Sequence, residues 1–216
     1  MNLPMSEWDM NSWERREAYE YFSAFSNPFY MVSFRLDVTD LYRYTKSRGL
    51  SFYTGMIWVC TQAINDEEAF LITLREGKLV RIARRSPSFT ALKPGASQFH
   101  IVTMDHKTDM EAFCLEADRL SKTQSAFLEA EKESDELIYY SCLPWIDLTA
   151  LTQERNLSAP GALDDSIPRL TWGKYTEENG RKTLVISMEV NHRFIDGIHI
   201  GRFAELFSAY CGQLKT

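Results

Sequence analysis

The stretch from Val190 to Phe203 reads VNHRFIDGIHIGRF and holds two of the four histidines in the chain, His192 and His199, with Asp196 and Gly197 between them. Imidazole exchanges protons near neutral pH, so His192 is a candidate general base. An apolar run ends just before it and an Asp-Gly turn signal follows, and junctions of this kind often display reacting groups on a rigid scaffold. The same spacing equally fits a histidine satisfied within the core. Metal binding by His192, Asp196 and His199 would need the three to converge on one ion. A strand, a turn and a helix in succession oppose that convergence, and no CxxC or HExxH cluster occurs elsewhere, so no metal is expected. Asp196 has a structural alternative, accepting from the first amides of the last helix. His199 reads as a packing or surface residue in that first turn, and His100 and His106 receive no role.

The elements that must hold these residues follow from periodicity. Residues 13–22, WERREAYEYF, mix charges and aromatics at helical spacing, which predicts a helix with its aromatics turned inward. FYMVSFRLDVT alternates, placing Tyr30, Val32, Phe34, Leu36 and Val38 on one face of a strand, after which Thr39 is a candidate helix cap. SFYTGMIWVCTQAIN, from Ser51, predicts a well-buried helix with Ile57, Cys60, Ala63 and Ile64 on one stripe. A hairpin turning at Glu76-Gly77, two strands around Pro94-Gly95, and a helix capped at Thr108 come next. ELIYYSCLPW is a strand ending at Pro144, and the long polar segment from Ala150 to Arg169 reads as a loop or lid. A hairpin at Glu178-Asn179-Gly180 leads into the histidine motif. The closing helix turns Phe203, Leu206, Phe207 and Tyr210 inward. The pattern predicts α+β or mixed-sheet α/β architecture, with helices covering a large sheet, as one domain spanning 1–216.

The 216 residues are 44% hydrophobic and 25% charged, which is globular composition. A net charge of −6 without a basic face excludes a general nucleic-acid binder. The polar opening lacks the apolar core of an export leader and no run reaches membrane-spanning length, so the expected location is cytoplasmic. Cys60, Cys114, Cys142 and Cys211 are widely spaced in apolar stretches and read as buried, reduced thiols.

The motif His192-Arg193-Phe194-Ile195-Asp196-Gly197 resembles the signature of the chloramphenicol acetyltransferases, in which a histidine, three residues and Asp-Gly end a strand before the last helix. WERRE near the start, FYTGMI, EGKLV, LPW at Leu143 to Trp145 and TWGKY at Thr171 to Tyr175 look like further segments of that family, in order and over nearly the whole chain. The resemblance implies an α/β two-layer sandwich, a large mixed β-sheet covered by helices, as shared with dihydrolipoamide acyltransferase catalytic domains, and a homotrimer with active sites at subunit interfaces. It implies acetyl-CoA as co-substrate, chloramphenicol or a similar small molecule as acceptor, and antibiotic resistance as the cellular role. His192 would be a general base in direct transfer, with no acyl-enzyme. Asp196 would pair with Arg15 to hold the end of the catalytic strand, and loss of such a pair, if buried, costs about 3–5 kcal/mol. Tyr21 and Phe22 match acceptor-pocket positions, although both also fit ordinary helix packing.

Three positions depart from the family's pattern. Ala150 stands where a serine hydroxyl steadies the oxyanion, and one lost donor typically costs about 10²–10³ in rate. Thr149 or Thr152 is a candidate substitute, and Thr171 matches a water-positioning threonine. Asn191 precedes the base where another histidine is common, and Phe22 replaces a tyrosine. These departures leave open a different small acceptor, or a catalytically weak homologue that binds CoA or another ligand.

Overall fold

A computed structural model describes residues 6–214. The first five residues, part of the opening read as lacking an export leader, and the last two of the 1–216 span lie outside the described residues. The elements are β1 (Ser6–Glu7), α1 (Arg16–Ser23), β2 (Phe29–Asp37), α2 (Thr39–Ser47), α3 (Phe52–Asp66), β3 (Ile72–Arg75), β4 (Lys78–Arg81), β5 (Ser86–Ala91), β6 (His100–Thr103), α4 (Met110–Thr123), β7 (Leu137–Leu143), β8 (Arg169–Gly173), β9 (Thr176–Glu178), β10 (Arg181–Asn191) and α5 (Gly197–Gln213). The main sheet runs β2-β10-β8-β7-β5-β6, with β9 added beside β10. It is mixed: β7 is parallel to both β5 and β8, whereas β10 is antiparallel to β2 and β8. A small second sheet orders β1-β4-β3.

Strand β10 shows how the layers separate. Ile186, Met188 and Val190 join the hydrophobic core, while Ser187, Glu189 and Asn191 alternate with them and face the other side. Helix α3 packs on α2, α4, α5 and strands β5 and β7, so every residue from Thr54 to Ile64 is buried. The expected apolar stripe therefore widens to the whole circumference, as a helix at the centre of a layer requires. Both tight hairpins use two central residues in the left-handed region, Glu76-Gly77 at φ 51° and 77° and Asn179-Gly180 at φ 51° and 75°. That backbone matches the twist of the strands it joins.

Several local expectations need correction. Helix α1 begins at Arg16, and Tyr21 is 64% exposed. Tyr19 and Phe22 are three apart and share a face, while Tyr21 falls on another face. The cap of α4 is Asp109, whose carboxylate accepts from the Ala112 N–H at 2.7 Å, and Thr108 is not used. Before α2, Asp37 accepts from both the amide and the hydroxyl of Thr39, leaving Thr39 inside the helix. The segment read as a loop or lid is irregular but fastened. The Leu151 amide donates to Ser187, Arg155 meets Glu189 and Asp165, and Asn191 donates to the carbonyls of Leu163 and Asp165. It is a strap across the face of β8 and β10 that the helices leave uncovered.

Candidate active site

His192 follows the last residue of β10. Its amide donates to the Pro28 carbonyl at 2.9 Å, and its own carbonyl accepts from Arg15 Nη2 at 3.1 Å. The backbone is thereby held on both sides. The ring lies between Phe22, stacked at 3.8 Å between centroids, and Tyr30 at 4.1 Å. Burial in this aromatic slot lowers the His192 pKa, the nearby Asp196 carboxylate opposes that shift, and the Arg15 charge adds to it. The imidazole is therefore neutral at pH 7 and can accept a proton.

Asp196 supports the same corner in two ways. Its Oδ2 lies 3.3 Å from Arg15 Nη1, and its side chain caps α5 in a reciprocal box in which His199 Nδ1 accepts from the Asp196 amide at 2.9 Å. The Gly197 N–H, followed by Arg15, holds the Asp196 carboxyl below its usual range. Asp196 Oδ1 is 3.7 Å from His192 Nε2, beyond hydrogen-bonding distance, so the carboxylate acts on the ring as a neighbouring charge. His192, Asp196, Arg15 and Phe22 thus come together. Tyr21 contacts Phe22 edge-on at 5.1 Å and Phe25 at 5.3 Å and is otherwise exposed.

A second feature lies elsewhere on the sheet. Strands β5 and β7 pair from Ser86↔Leu137 to Phe89↔Tyr140 and then part. Thr90 and Leu92 on one side, and Ser141 and Leu143 on the other, line a cleft of about 1060 Å³ closed further by Trp145 and the strap residues Thr152 and Gln153. That volume is large enough for a drug-sized ligand. Thr171, on β8, is buried, and its hydroxyl accepts from Gln153 Nε2 at 2.9 Å. Thr149 is exposed and does not line the cleft, and Ala150 beside it is also exposed.

Within one chain these parts do not meet His192. Thr171 pairs in register with Ser187, and His192 lies five positions farther along the chain, just past the end of β10, about 17 Å away at the usual strand rise. Reading the sequence residue by residue missed Gln153, the Tyr30 wall, the Arg155 anchor and that of Arg193, which donates to the Leu163 carbonyl, Asp164 and the Tyr19 hydroxyl. The only local signal was the alternation of Leu151, Gln153 and Arg155 with Thr152 and Glu154. Among the described residues no group of His, Cys, Asp and Glu side chains is arranged to hold a metal ion, and no helix is long and apolar enough to cross a membrane.

Comparison with known proteins gives this geometry a context. The chain is 24% identical over 216 residues to a chloramphenicol acetyltransferase of Proteus mirabilis, covering 95% of this chain and 94% of the relative. It is 27% identical over 201 residues to one of Clostridium perfringens, covering 90% and 92%. A solved chloramphenicol acetyltransferase superposes with a TM-score of 0.84 at 21% identity, over 98% of this chain and all of that one (100%). The dihydrolipoamide acetyltransferase of Azotobacter vinelandii gives 0.67 at 18% identity, over 91% and 86%. These superpositions establish the expected fold. The chloramphenicol acetyltransferase family itself matches residues 2–207, and with a match of that length the chain belongs to this family and is an acyltransferase.

Proposed function

We propose that this enzyme transfers the acetyl group of acetyl-CoA to a hydroxyl of chloramphenicol or a similar small molecule, with His192 as general base. The observation that carries the reading is the imidazole at the strand end, fixed by Pro28 and Arg15 and walled by Phe22 and Tyr30. In the step, the acceptor oxygen attacks the thioester carbonyl carbon while its proton passes to the His192 ring. The carbonyl π pair moves onto oxygen, then returns as the carbon–sulfur bond breaks. The CoA sulfur leaves with that bond pair and takes the proton from the imidazolium, giving an acetyl ester and free CoA thiol.

The roughly 17 Å between His192 and Thr171 in one chain supports a homotrimer in which one copy's base faces a neighbour's cleft. The relatives' names support acetyl transfer and chloramphenicol as acceptor, and the family match supports acetyl-CoA as co-substrate. Arg15 and Asp196 hold the strand end, and Phe22 and Tyr21 face the acceptor. The reading includes one domain over 1–216 and a cytoplasmic location. A different small acceptor is favoured by two features, the ring without hydroxyl at Phe22 and the missing donor at Ala150.

The test is thiol release from acetyl-CoA with chloramphenicol. The expected result is turnover that His192→Ala abolishes, and undiminished turnover in that variant overturns the assigned base. If the wild type is slow and Ala150→Ser raises the rate tenfold or more, the acceptor is another molecule.

A further inference from the structure

The strap lines the cleft with Leu151, Thr152, Gln153 and Glu154, beside the position that lacks a hydroxyl. Ala150 offers no side-chain donor and Thr149 stands away from the cleft wall; Thr152 does line the cleft, but it is exposed and among the hydrogen bonds of the described residues none fixes its hydroxyl. From Leu151 the strap is extended with alternating contacts: the Leu151 amide reaches Ser187 at 3.0 Å, the Gln153 side chain reaches Thr171, and Arg155 reaches Glu189 at 2.5 Å. Gln153 lines the cleft, whereas Thr171 behind it does not. The Thr171 hydroxyl, expected from the family to position a water, is therefore covered by an amide of the chain itself.

We propose that the Gln153 carboxamide is the donor that receives the negative charge at the transferred carbonyl, in place of the missing serine hydroxyl. A primary amide carries two N–H groups. One is spent on Thr171 at 2.9 Å, and among the hydrogen bonds of the described residues none uses the other. The bond to Thr171, a buried residue on a central strand, fixes the amide plane, and the neighbouring anchors at Leu151 and Arg155 fix the backbone on both sides. A donor held in place before reaction is what stabilises an oxyanion most, because no reorganisation is needed as charge develops. The inference rests on the proposed acetyl transfer. When the acceptor oxygen bonds to the carbonyl carbon and its proton moves to His192 of another copy, the displaced π pair sits on the oxygen facing Gln153. Collapse returns that pair and expels the CoA sulfur, which takes the proton.

The experiment uses the full chain with acetyl-CoA and chloramphenicol, and compares wild type with Gln153→Glu and Gln153→Leu. The glutamate variant keeps the shape and can still bond to the Thr171 hydroxyl, but has no N–H. The expected result is a fall in kcat of about 10²–10³-fold in both variants with KM changed less than about threefold. Adding Ala150→Ser to Gln153→Leu is expected to restore at least tenfold of the loss, which a merely structural role does not explain. Unchanged kcat in Gln153→Glu, or loss without recovery by Ala150→Ser, overturns the inference. His192→Ala is measured in parallel: full turnover in that variant overturns the acetyl-transfer mechanism itself, whatever Gln153 does.

Discussion

Replacing Asp196 separates two roles that the structure gives one carboxylate. As cap of α5 it accepts from the first helical amides, a role worth about 1 kcal/mol. As partner of Arg15 it makes one contact at 3.3 Å, with its side chain half exposed to solvent while the arginine is largely covered. The expectation of a buried pair worth about 3–5 kcal/mol does not fit that exposure, and a surface-scale value of about 0.5–1 kcal/mol does. Asn can still cap, so Asp196→Asn should lose only the ionic part, whereas Asp196→Ala should lose about 2 kcal/mol, or about 4–8 °C in Tm for a chain of this size. Urea denaturation at pH 7 measures both. Because the folded pKa is depressed, chiefly by the Gly197 amide, the ionic contribution is present above the unfolded value near 3.9 and lost as pH falls through the lower folded value. The gap between wild type and Asp196→Asn should therefore close below about pH 4. Equal losses in the Asn and Ala variants, or a loss above about 4 kcal/mol in either, would refute the partition.

Gly173→Ala should be costly, because an added Cβ would lie 2.5 Å from Leu148 Cβ and 2.6 Å from the Ile146 carbonyl, where the strap begins. A loss of about 1–3 kcal/mol is expected in urea, and wild-type stability would show that the turn simply moves aside. All four histidines have lowered pKa values, with burial the leading cause in each. Unfolding must then take up protons as pH falls from about 6.5 through the lower folded values, so stability should decline from pH 7 to pH 5; a flat urea midpoint across that range contradicts these environments.

The parts of the fold that show in the sequence are those governed by local periodicity. The alternation in β2 and β10 and the Glu76-Gly77 and Asn179-Gly180 turns can be read from neighbouring residues alone. Helix caps fall one position away because Thr108 and Asp109 are both competent, and the carboxylate takes the bond. The strap carries no period long enough to read, since its anchors pair residues far apart, such as Asn191 with Leu163 and Arg155 with Glu189. At the site, His192 and Asp196 stand out by type and spacing, and resemblance adds Arg15. The stacking of Phe22 and Tyr30 on the imidazole depends on how α1 and β2 meet the end of β10. The separation of Thr171 from His192 depends on strand register, which no local pattern encodes.

The parting of β5 from β7 has a consequence for how such a protein can diversify. The cleft walls come from two diverging strands and an irregular strap, whereas His192 stands at the end of the strand two places away in the sheet. Side chains on the walls can be exchanged without moving His192, because Pro28, Arg15, Phe22 and Tyr30, which hold it, are not among the lining residues. Such an arrangement lets the ligand preference of the cleft and the proposed proton chemistry vary separately, Gln153 excepted, since its amide is proposed to serve both the wall and the reaction.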